Sequence, residues 1–100
     1  MNKELSQIIY QTICSEILKL NAELENKIDL KAGRDTRLFG GDAPLDSLNL
    51  FMLIVNIEDA IDTELGFSLT IADERAMSRR VSPFASVGLL TNYIVDLIAS

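Results

Sequence analysis

Leu50, Leu53, Ile54, Ile57, Ile61 and Leu65 recur at three- and four-residue spacing between two sharp breaks in the chain. That period places all six on one face of a helix. The breaks fix its ends. Before it, Leu38-Phe39-Gly40-Gly41-Asp42-Ala43-Pro44-Leu45 interrupts any regular structure, and after it Gly66 supplies a stop. Asp46 is a good N-cap, so the pattern predicts a helix over Ser47 to Leu65.

Two further stripes share the period. Leu5, Ile9, Ile13, Ile17, Leu20 and Leu24, broadened by Ile8, predict a first helix from Asn2 to Glu25. Val87, Leu90, Ile94, Leu97 and Ile98, behind Ser86 as N-cap, predict the last one. Asn26 to Leu45 has no sustained period and holds Gly33, Gly40, Gly41 and Pro44, so it reads as a long loop with room for one short turn. Leu30, Leu38 and Phe39 are expected to tuck into the core and hold that loop down, and loops of this length are often functional. Phe67 to Ile71 alternates like a strand, but a lone strand has no sheet to join, which favours an extended linker. Ala72 to Met77 reads as a short third helix, and Ser78 to Pro83, with Arg79 and Arg80, as a solvated loop. One hundred residues suffice for one core and not two. The expectation is a single all-α domain over 1–100, a small four-helix bundle of three main helices and one short one, with a long loop between the first two.

Charge narrows the partners. Fifteen acids against nine bases give a net charge of -6. From Asp42 to Glu74 there are Asp42, Asp46, Glu58, Asp59, Asp62, Glu64, Asp73 and Glu74, and no Lys or Arg. Phosphate backbones are repelled by such a surface, so no nucleic-acid partner is expected, whereas basic protein patches are attracted. A purely solubilising acidic face is the plain alternative. The longest apolar stretch, Leu50 to Val55, is too short to span a bilayer, and Lys3 and Glu4 begin no signal-peptide pattern. These points favour a cytoplasmic protein without a membrane span.

Catalytic chemistry is scarce. Without histidine there can be no Ser-His-Asp triad, and with a single cysteine there is neither an internal disulfide nor a zinc site of common type. Cys14, among Ile13, Ile17 and Leu18, is expected to be a buried core thiol. No loop shows calcium-ligand spacing, and Gly40-Gly41 lacks the following lysine of a phosphate-binding loop. The neighbouring Glu58 and Asp59 fit a solvent face better than an acid–base pair. The chain is not expected to be an enzyme.

Ser47 stands out against this background. At the junction of loop and helix it is expected to be exposed, with its backbone fixed and its hydroxyl outward, which suits modification by another protein. It shares a helix line with Phe51, Val55, Glu58 and Asp62, apolar near the serine and acidic farther along. Such a face is a docking surface if Phe51 and Val55 stay open, and an ordinary one if Phe51 packs under the loop.

A non-catalytic acidic helical chain with Asp46-Ser47-Leu48 opening its second helix resembles an acyl carrier protein. The resemblance covers most of the chain. It rests on the helical order, on Leu45-Asp46-Ser47-Leu48 closing the long loop, and on Ile57-Glu58-Asp59-Ala60-Ile61. Ile71-Ala72-Asp73-Glu74 and Ser86-Val87-Gly88-Leu89-Leu90 fit as well. The resemblance implies that Ser47 carries a covalent 4'-phosphopantetheine, transferred from coenzyme A by a phosphopantetheinyl transferase, with acyl groups held on the arm as thioesters. It implies that Asp46 helps position the helix start and the transferase, and that Leu48 contacts the transferase or the arm. Loading, synthase or transferase enzymes with basic or apolar docking patches would read Phe51, Met52, Val55, Glu58, Asp59 and Asp62 on a monomer. Carriers of the fatty-acid type usually place acids within two turns of the serine, whereas Leu48 to Asn56 carries none here. That departure favours a specialised pathway, polyketide-like or otherwise secondary-metabolic. A peptidyl or aminoacyl carrier is disfavoured by Asp46, because those carriers more often place glycine and histidine before the serine. A helical adaptor for a basic partner is the alternative outside the carrier class.

Overall fold

The computed structural model describes residues 2–24, 27–72 and 82–99. They form an all-helical globule with α1 at Asn2–Asn21, a 3-10 helix at Leu30–Asp35, α2 at Ser47–Leu65 and α3 at Val87–Ala99. No strand occurs among the described residues, and no helix there is long and apolar enough to cross a membrane. The expected short helix at Ala72 to Met77, beyond its first residue, and most of the Ser78 to Pro83 loop lie outside the described residues.

The three apolar stripes meet in one core. Ile9, Ile13, Ile17 and Leu20 of α1 are buried against Leu50, Leu53, Ile54, Ile57 and Ile61 of α2 and Val87, Leu90, Ile94 and Val95 of α3. Leu5 and Leu24 reach that core only in part, and Ile8 points outward rather than widening the stripe. Cys14 is half-buried at the core edge, less enclosed than its apolar neighbours suggest.

Helix α1 stops at Asn21, short of Glu25, because a side chain outbids the helix there. Asn21 donates from Nδ2 to the Ile28 carbonyl at 3.0 Å and accepts the Ile28 amide on Oδ1 at 2.8 Å. This clasp turns the chain back and buries Ile28. The loop beyond it holds the 3-10 helix, capped by Asp29, which accepts the Lys31 amide at 2.9 Å. Leu38 is fully buried and Leu30 and Phe39 are partly so, as expected, with Leu45 an additional anchor.

Helix α3 starts against this loop. Gly88 permits it: a Cβ there would stand 2.9 Å from the Arg34 carbonyl oxygen, closer than any side chain can come without displacing the backbone. Ser86 caps α3, its Oγ accepting the Leu89 amide at 3.2 Å. Residues 67–71 run from α2 without regular structure, with Ile71 buried and Leu69 half-buried. They follow Gly66, whose left-handed conformation (φ 75) closes α2 with its amide donating to Asp62.

Candidate functional site

The site begins with the backbone that holds Ser47. The Val87 amide donates to the Thr36 carbonyl at 2.9 Å, and the Leu38 amide to the Ala85 carbonyl at 2.9 Å, so the loop is laced to the start of α3. The Leu45 amide then donates to the Leu38 carbonyl at 3.0 Å, which closes the Gly40-Gly41 turn on itself. Arg37 folds over that turn, with Nη2 donating to the Gly40 carbonyl at 3.2 Å. With Leu38 and Leu45 buried beneath it, the loop reaches Asp46 with little freedom left.

Asp46 is extended (φ -85, ψ 177), and its Oδ1 accepts the Asn49 amide at 2.8 Å, while its carbonyl accepts the Leu50 amide at 2.9 Å. This is the arrangement of an N-cap aspartate, as the sequence predicts. Ser47 is therefore the first helical residue, exposed and fixed through its backbone. Its own amide and that of Leu48 have no acceptor within the helix. A phosphate ester at this position is matched by the positive end of the helix dipole.

Next to Ser47 lies a patch the core does not use. Leu48 is 67% exposed, Phe51 59%, Val55 42% and Met52 39%. Phe51 does not pack under the loop, so this face is open to solvent. The patch covers the first two turns of α2, reaching about 12 Å along the axis from Ser47 at 1.5 Å per residue.

The acidic half divides in two. Asp59 and Asp62 are exposed, and among the described residues neither is ion-paired. Glu58 behaves otherwise: its Oε2 accepts the Ile71 amide at 2.7 Å, tying residues 67–71 to α2. Its carboxylate is occupied within the fold, which makes it a strut more than a free recognition charge. Val55, Glu58, Asp59 and Asp62 form one wall of a groove of about 410 Å3, with Ser68, Leu69 and Thr70 opposite. A larger open groove, about 550 Å3, is built from α1, Arg34 and α3 and shares no residue with the Ser47 face.

Sequence periodicity puts Ser47, Phe51, Val55, Glu58 and Asp62 on one helix line, and all of these but Glu58 are exposed, as are Asp46, Leu48, Met52 and Asp59. It misses the lacing of residues 36–38 to 85–87 and the strut role of Glu58. Both depend on backbone partners far away in sequence, for which periodicity carries no signal. Compared with protein-family models, with curated proteins and with solved structures, the chain has no match.

Proposed function

We propose that this chain is an acyl carrier, with Ser47 as the acceptor of 4'-phosphopantetheine. The observation that carries the reading is the exposed Ser47 on a backbone pinned on both sides, at the start of a helix whose adjoining turns expose Leu48, Phe51, Met52 and Val55. In the transfer, the Ser47 oxygen attacks the phosphorus of coenzyme A that bears the pantetheine. The new P–O bond forms as the pyrophosphate bond breaks, 3',5'-adenosine bisphosphate leaves, and the serine proton passes to a base of the transferase. The chain supplies no imidazole base, having no histidine. Once attached, the group holds acyl chains as thioesters on its terminal thiol.

Partner enzymes meet the apolar patch first, close to Ser47, and the charges of Asp59 and Asp62 farther along. This order favours partners with an apolar socket at the active-site entrance and basic residues at its margin. It also favours a dedicated pathway, polyketide-like or secondary-metabolic, over general fatty-acid synthesis. Compensating charge reaches only the outer part of the contact, so salt weakens association modestly.

The test is the intact mass of the protein after incubation with coenzyme A, magnesium and a broad-specificity phosphopantetheinyl transferase. Wild type gains one phosphopantetheine and Ser47→Ala gains none. Wild type that stays unmodified with several such transferases contradicts the carrier reading. It would leave the exposed apolar and acidic face to a helical adaptor for a basic partner.

A further inference from the structure

The groove remote from Ser47 gathers charge and hydrogen-bond donors from three elements. Lys3, Ser6 and Gln7 come from α1, Arg34 from the 3-10 helix, and Asn92, Val95 and Asp96 from α3. It lies open on the surface, with a volume of about 550 Å3, and is lined mostly by exposed side chains.

Arg34 is held in place although it is exposed. Its guanidinium carbon stands 4.7 Å from the centroid of the Tyr10 ring, and its Nη2 donates to Ser6 Oγ at 3.2 Å. Its backbone is pressed against Gly88 at the start of α3. The fork is thus oriented before any ligand arrives, with N–H groups to spare. No carboxylate neutralises it: among the described residues the ion pair formed is Lys19–Glu16, and neither Lys3 nor Arg34 is paired. Asp96 lines the same groove without closing on either cation.

We propose that this groove binds the phosphate monoester of a small hydroxyl- or amine-bearing molecule. Lys3 and Arg34 take the phosphate, with the amides of Gln7 and Asn92 as neutral donors. Three terminal oxygens make use of donors on three elements, whereas a planar carboxylate would engage the arginine fork alone. Val95 lines the carbon body, and Asp96 accepts from its hydroxyl or amine. The site is independent of Ser47, so it stands or falls apart from the carrier reading.

The test is a titration of the full chain at low ionic strength with glycerol 3-phosphate, inorganic phosphate and glycerol, followed by amide chemical shifts. Glycerol 3-phosphate should give saturable shifts at Ser6, Gln7, Arg34, Asn92 and Val95, inorganic phosphate weaker shifts at the same residues, and glycerol none. Arg34→Lys keeps the charge but loses the fork, and Lys3→Gln leaves the core untouched; each should weaken binding about tenfold. Asp96→Asn should narrow the preference for glycerol 3-phosphate over inorganic phosphate, and Ser47→Ala should change nothing. Absence of saturable shifts overturns the proposal. So do shifts spread equally over Lys27, Lys31 and Arg37, or unchanged affinity in both cation variants, which would mark diffuse attraction to a basic surface.

Discussion

Helices α2 and α3 are both densely apolar, yet the fold uses them differently. Around α3 it buries Val87, Leu90, Thr91, Tyr93, Ile94 and Val95. Along the first turns of α2 it buries Leu50, Leu53 and Ile54 and leaves Leu48, Phe51, Met52 and Val55 open. The difference lies in the neighbours. Among the described residues, helix α3 is enclosed between α1 and the 3-10 helix, while α2 packs on α1. Apolar character alone therefore does not mark the core. Apolar surface that the fold leaves open, gathered beside one exposed serine, is available to a partner.

The comparison breaks first on core substitutions. Leu53→Ala should cost about 2–5 kcal/mol in urea unfolding, as for other fully buried leucines. Phe51→Ala, two residues away on the outer face, should stay within about 0.5 kcal/mol of wild type. A comparable loss in both would mean that the outer face is part of the core after all. Next comes the enclosure of α3. Gly88→Ala forces a methyl group to 2.9 Å from the Arg34 carbonyl and should cost about 1–3 kcal/mol by overpacking. A neutral result would show that the 3-10 helix does not confine α3.

Asp46→Ala removes the cap of α2 and should cost about 1 kcal/mol by thermal or urea unfolding. The smallest effect is expected at Thr36, whose buried Oγ1 has no hydrogen-bond partner. Thr36→Val keeps the shape and removes an unsatisfied hydroxyl, so stability should be unchanged or slightly raised. A clear loss would reveal a partner for that hydroxyl.

Much of this was legible beforehand, and the physical reason is local. The bounds of α2 are written in Asp46 and Gly66, each of which acts within a turn of its own position. The exposure of Ser47 follows from its place at the first helical residue. The end of α1 was not legible, because Asn21 reaches seven residues ahead to Ile28. Ile8 faces outward, and a stripe of isoleucines does not say how wide the covering neighbour is. Glu58 shares a helix line with Asp62, yet only the return of Ile71 separates the strut from the free charge. Arg34 was silent for the same reason: Tyr10, Ser6 and Gly88 come to it from distant parts of the chain.

The most direct measurement is to locate the added group by fragmentation mass spectrometry after reaction with coenzyme A and a phosphopantetheinyl transferase. A single phosphopantetheine is expected on Ser47, with the other seven of the eight serines unmodified. Modification at another serine, or none under conditions that load a reference carrier, would contradict this assignment.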